Sequence, residues 1–149
     1  MAVPVLTELG IDQEVIDLIN QERAKVGANP ITKNEMIDDS SDRHALDMAT
    51  NNNLSETGSD GSTVASRAKD ANLNFPSVTE TIAAGPMTPT EVVAQWIDNP
   101  TDRNKLLDPG ATHILHQCID TRFGSRLILT PAPEKPAVLV YSLFLSVIS

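Results

Sequence analysis

Aromatic residues and cysteine are nearly absent from this chain. One Trp, one Tyr and three Phe make up 3% of its 149 residues, so its core must be mainly aliphatic. Cys118 is the single cysteine, which excludes an internal disulfide. There is no Cys-x-x-Cys pair, no Gly-rich phosphate loop and no Ser nucleophile elbow. Positive charge is scarce as well. Eleven Lys and Arg face 20 Asp and Glu, giving a net charge of −9 and a pI near 4.6. That balance speaks against nucleic acid and anionic membranes as partners, because both reward a basic surface. Long apolar runs are missing too. The run Ala137–Ile148 is too short for a membrane span and is broken by Ser142 and Ser146; it reads as a buried strand. Met1–Gly10 has no basic stretch leading into an apolar one, so no signal peptide is visible.

What is present fits one domain over residues 1–149, with 1–10 as an irregular lead-in punctuated by Pro4 and Gly10. Hydrophobic residues are 40% and charged ones 21%, a composition able to bury a core at this length. Ile11, Val15, Leu18, Ile19 and Val26 recur at helical spacing, so a helix is expected from Asp12 to about Val26, stopped by Gly27. Thr32-Lys33-Asn34-Glu35 reads as a capping box for a second helix reaching about Thr50. Ile37, Ser41, His44, Ala45, Met48 and Ala49 form its inner face. A short helix is expected over Thr63–Asp70 with Ser62 as N-cap. Val78–Ala84 reads as a strand. Thr88-Pro89-Thr90-Glu91 is another capping box, with proline where no amide donor is missed. Asn99-Pro100-Thr101-Asp102 repeats that pattern for a helix ending near Leu107. Beyond Asp108-Pro109-Gly110 the chain turns to strands at Thr112–Asp120, Arg126–Thr130 and Ala137–Ile148. Helices early and strands late predict an α+β fold with an antiparallel sheet.

Four stretches, in order, carry a family likeness. Asn20, Arg23 and Gly27 form an Asn-x-x-Arg pattern with a following Gly. Ala45-Leu46-Asp47-Met48-Ala49 comes next, then Glu80-Thr81-Ile82-Ala83-Ala84-Gly85. Trp96-Ile97-Asp98-Asn99-Pro100-Thr101-Asp102-Arg103 comes last. Together they resemble the bacterial-type domain of the CAP superfamily (cysteine-rich secretory proteins, antigen 5, pathogenesis-related 1). The resemblance spans roughly residues 12–107. It implies an α-β-α sandwich, a central antiparallel sheet flanked by helices, and an extracellular or cell-surface location. The family's cleft carries two histidines and a glutamate. Here the corresponding places fall on Glu56 (in Ser55-Glu56-Thr57-Gly58), Glu80 and Asp102. A fourth acidic position of many members is Asn99, and the asparagine after the motif glutamate is Thr81.

Three carboxylates in one cleft raise one another's pKa unless a cation neutralises them. An all-oxygen set suits a hard cation. Glu56, Glu80 and Asp102 are therefore the expected ligands for Ca²⁺ or Mg²⁺, with Asn99 or Asp60 as a further oxygen, and the four residues Glu56, Glu80, Asn99 and Asp102 are the expected ligand-binding cleft. Simpler roles stand beside these. Asp102 suits a helix cap at N3, Glu56 a solvated loop, His44 the core or its rim, Trp96 a core anchor, Asp60-Gly61 a turn, and Cys118 a buried small hydrophobe. His113 and His116 are three apart on a strand and point to opposite faces. Both cavity histidines are replaced, and ordinary carboxylates are poor bases at neutral pH. The expected function is thus a non-enzymatic module that binds a small ligand or protein partner in an acidic cleft. The alternatives are a metal-dependent hydrolase with Glu80 as base, and a structural or adhesive surface domain without a functional cleft.

Overall fold

The computed structural model describes residues 4–33, 38–72, 77–85, 88–120 and 139–147. Among these, helix α1 (Pro4–Lys25) is followed by strand β1 (Thr32–Lys33), helices α2 (Asp38–Asn51) and α3 (Val64–Asp70), and strand β2 (Ser77–Gly85). Helices α4 (Pro89–Asp98) and α5 (Pro100–Leu106) come next, then strands β3 (Ala111–Asp120) and β4 (Leu139–Val147). The sheet order is β1-β3-β4-β2. β4 pairs antiparallel with both β2 and β3, while the two-residue β1 adds a parallel edge to β3. The fold is α+β, as expected.

Strand β2 shows how the layers form. Successive strand side chains point to opposite faces. Ala83 packs with Val15, Ile16 and Ile19 of α1, Val92, Val93 and Trp96 of α4, and Leu106 of α5. Ile82 and Ala84 pack instead with Ala45 and Met48 of α2. One sheet therefore separates two apolar cores, which is the sandwich. Glu80 shares its face with Ile82 and so points toward α2 and α3.

The Asn-x-x-Arg pattern is a clamp. Asn20 pairs with Ile31 through both amide groups, Nδ2 to the carbonyl at 3.0 Å and Oδ1 from the N–H at 2.8 Å. Arg23 is fully buried. Its guanidinium donates to the carbonyls of Asn29 (2.8 Å), Leu106 (2.7 Å), Asp108 (2.9 Å) and Ala111 (3.1 Å). A planar fork with five donors suits this, and one guanidinium ties α1 to the turn between α5 and β3. Gly27 at φ 74° lets the chain turn sharply off α1. Trp96 anchors the same layer, with its indole N–H donating to the Ile82 carbonyl at 3.1 Å.

Several boundaries differ from the sequence expectation. α1 begins at Pro4, so residues 4–10 are helical and not an irregular lead-in. Proline fits a first helical turn, and Gly10 within a helix costs only about 1 kcal/mol against Ala. Thr32 lies in β1 and is no N-cap; pairing with β3 overrides the local signal, and Glu35 lies outside the described residues. The α3 cap is Thr63, not Ser62, closing a box with Ser66. The Thr88–Glu91 box on α4 is present as read. α5 has no such box. Asn99 caps it alone, accepting from Thr101 and Asp102, while its own N–H goes to Gln95. The expected strand Arg126–Thr130 and the side chains of His116 and Cys118 fall outside the described residues.

Arg23→Lys is expected to lower stability by about 2–4 kcal/mol, because a point-like ammonium cannot serve four carbonyls and leaves buried acceptors unmet. Urea unfolding of the two proteins checks this.

Candidate functional site

Glu80 is 1% exposed. A buried carboxylate needs a partner, and Arg67 of α3 supplies it, with Nη2 at 2.6 Å from Oε2. Arg67 is itself buried. Its other donations hold the loop between α2 and α3: Nη1 to the Ser62 carbonyl at 3.0 Å and Nη2 to the Glu56 carbonyl at 3.0 Å. The pair is thus hydrogen-bonded on its cationic side, the condition under which buried ion pairs hold.

The same loop is braced from α2. Asp47 accepts from the Ser59 amide at 2.8 Å and from the Ser59 hydroxyl. The hydroxyl bond and then the amide bond hold its carboxyl below the ordinary range. Within the loop, Gly58 and Gly61 pair backbone groups with Ser62 and each other. A side chain at Gly58 would run into Ser62 Oγ and Asp60 Oδ1.

His44 of α2 is buried beside the pair. Its Nε2 lies 2.9 Å from the Ser55 carbonyl and 3.7 Å from Glu80 Oε2. A carbonyl can only accept, so Nε2 carries the proton. Burial first, and the Arg67 cation second, lower the imidazole pKa against the opposing Ser55 bond and the Asp47 and Asp60 charges. His44 is therefore a neutral donor at neutral pH.

On the outer side stands Lys105 of α5. Its ammonium lies 2.7 Å from Glu56 Oε1, 2.7 Å from the Glu80 backbone carbonyl and 3.7 Å from Asp102 Oδ1. Its side chain is only 18% exposed, while that of Glu56 is 49% exposed. The Asp102 pKa is raised, chiefly by burial and also by the Glu56 charge, with Lys105 opposing. Behind Arg67 and His44 opens a polar pocket of about 160 Å³, lined also by Arg43, Asp47, Asp60 and Asp70.

Residues 16–114 match the family model described as the cysteine-rich secretory protein family, CAP. The chain belongs to this family. YkwD of Bacillus subtilis (strain 168) is 29% identical over 103 residues, covering 69% of this chain and 40% of that protein. This CAP chain thus spans about two fifths of the length of the curated relative it matches. Among solved structures, an extracellular SCP-domain protein of Bacillus anthracis superposes with a TM-score of 0.74 at 20% identity, over 95% of this chain and 41% of that one. An outer surface protein of Borrelia burgdorferi reaches 0.76 at 15% identity, over 92% of each chain. A cysteine-rich secretory protein of Staphylococcus aureus reaches 0.69 at 10% identity, over 96% and 40%. At these identities the likeness speaks for the fold. No helix among the described residues is long and apolar enough to cross a membrane.

Of the three expected carboxylates, those of Glu56 and Asp102 share the Lys105 ammonium, while that of Glu80 lies against Arg67. The expected hard-cation set of Glu56, Glu80 and Asp102 does not fit this arrangement. Among the described residues no group of three or more His, Cys, Asp or Glu is placed to hold a metal ion. The physical reason is that Glu80 turns its carboxylate toward α3 and offers the outer cleft only its backbone carbonyl. Asn99 stands at the rim with its side-chain oxygen engaged in the α5 cap. Asp60 accepts from the Ser62 amide at 2.9 Å in its own turn and lines the other pocket. Thr81 is buried on the opposite face from Glu80, its hydroxyl without a hydrogen-bond partner among the described residues. His113 Nδ1 lies 2.8 Å from Thr112 Oγ1, away from the cleft. Sequence reading missed Arg67 and Lys105. The one available signal was chemical: buried or clustered carboxylates call for cations, and few basic residues lie in these segments.

Two measurements test the site. Arg67→Met should cost about 3–5 kcal/mol in urea unfolding, because it strands a buried carboxylate. Below the ordinary imidazole pKa of about 6.5 the unfolded chain takes up a proton that folded His44 resists, so stability should decline as pH falls from 7 toward 5.5. His44→Gln, which retains a donor for Ser55, should flatten that decline.

Proposed function

We infer that this CAP domain is a non-enzymatic binding module of an extracellular or cell-surface protein, and that its ligand is a small polar molecule met at Glu56, Lys105 and Asp102. The observation that carries this reading is the position of Lys105, which fixes two partly exposed carboxylates around one ammonium. Such a triad presents both donors and acceptors in a set geometry, which favours a ligand of mixed polarity. A base for hydrolysis would need access to substrate and a free lone pair. Glu80 is buried against Arg67, and His44 is buried beside it at 2% exposure. Both facts weigh against the hydrolase alternative. The location rests on the descriptions of the structural neighbours, two of which are called extracellular or outer-surface proteins. The negative net charge agrees with a soluble exterior domain.

Thermal-shift screening of amino acids, sugars and polyamines against the wild type and the Glu56→Gln/Asp102→Asn variant tests the module. The double variant should remain folded, since neither side chain is fully buried, and should lose every stabilising response. A response retained by the variant would move the ligand elsewhere. Chelator-sensitive cleavage of a peptide or ester panel by the wild type would replace the binding reading with the hydrolase one. No response from any compound would leave the structural or surface-adhesive reading in its place.

A further inference from the structure

We propose that Lys105 is a tethered counter-ion that takes the place a divalent cation would fill in the outer cleft, and so makes this cleft independent of metal. The inference stands apart from whether the cleft takes a small ligand.

Three oxygens from three separate segments converge on the Lys105 ammonium. Glu56 Oε1 comes from the loop after α2, the Glu80 carbonyl from β2, and Asp102 Oδ1 from the first turn of α5. Two lie at 2.7 Å and one at 3.7 Å. An ammonium has three N–H donors and no acceptor, so it suits an all-oxygen surround. That surround is also the ligand type a hard cation takes, at shorter distances and in larger number. The lysine is deeply seated for its type, with 18% of its side chain exposed; a lysine gains little from such a position unless its charge is used. Its origin is local to the site. Asp102 and Lys105 lie three residues apart on α5, so the helix that brings the cleft carboxylate brings the neutralising charge on the same face.

The inner carboxylate is handled separately. Glu80 turns to Arg67 at 2.6 Å, which leaves Glu56 and Asp102 facing Lys105. Burial chiefly, and the Glu56 charge, raise the Asp102 pKa while Lys105 pulls it down. Removing the ammonium leaves two carboxylates and a carbonyl facing one gap. That is a poor but real ligand set for calcium, at the millimolar end of the known range.

Melting curves of the whole chain, in EDTA and in about 10 mM CaCl2 or MgCl2 at matched ionic strength, test this. The wild type should melt at the same temperature in all three. Lys105→Met should melt lower than the wild type in EDTA and rise by about 3–6 °C in calcium, as expected for a millimolar site in a chain of this size. Adding Glu56→Gln and Asp102→Asn to Lys105→Met should abolish the rise, and Lys105→Arg should show none. If Lys105→Met folds only in calcium, that also supports the proposal. If it folds in neither buffer, Lys105→Gln is read in the same way, because its amide still donates within the gap. A calcium rise in the wild type equal to that of the variant would overturn the proposal. So would a folded Lys105→Met or Lys105→Gln protein that responds to neither cation.

Discussion

The carboxylate of Glu80 is the constraint from which the site follows. It sits in a strand between two apolar cores, where an unpaired charge would cost several kcal/mol. Only a cation with donors to spare can neutralise it and satisfy its surroundings together. Arg67 does both. It bonds the carboxylate and reaches two carbonyls of the loop between α2 and α3. The loop's path is therefore tied to the ion pair. So is the protonation state of His44, which burial first and the Arg67 cation second hold neutral. A change at one buried oxygen would be felt across α2, α3 and the loop.

The fold was largely legible because its signals are local or apolar. Apolar spacing in α1 and the capping box at Thr88 each act within a few residues. The family likeness was legible for a related reason. Asn20, Arg23 and Trp96 hold backbone groups in place, and that work requires particular side chains whatever the cleft contains. The same structure explains why the likeness carried little chemistry. The residues that make the motif recognisable are clamps, while Glu56 and Asp102 engage an ammonium through their side chains and hold no part of that frame.

The counter-ions were not legible. Arg67 stands 13 residues from Glu80, and Lys105 stands 49 from Glu56 and 25 from the Glu80 carbonyl it caps. Each sits in a seven-residue helix where a basic residue near the end looks like dipole compensation. No pattern within a window of sequence separates such a lysine from a solvated one. The positive charge that Glu56, Glu80 and Asp102 meet in the structure comes from Arg67 and Lys105. The errors at Thr32 and Pro4 have the same character, since strand pairing and helix extension were decided by distant contacts or by the absence of a penalty.

Lys105 has a second duty that ties the cleft to the sheet. β2 is one of the two outer strands of the described sheet, and an outer strand offers carbonyls that invite another chain to pair. The carbonyls of Glu80 and Ile82 lie two residues apart along it. Both accept from helix side chains, Glu80 from the Lys105 ammonium and Ile82 from the Trp96 indole. α4 and α5 thus cover this edge through one apolar anchor and one charge. The anchor needs only burial, whereas the charge needs carboxylates nearby to be stable so deep. Glu56 and Asp102 supply them. On this view the Lys105 ion pairs and the protected edge are one arrangement, and a substitution that loosens Lys105 would free two carboxylates and uncover a strand edge together.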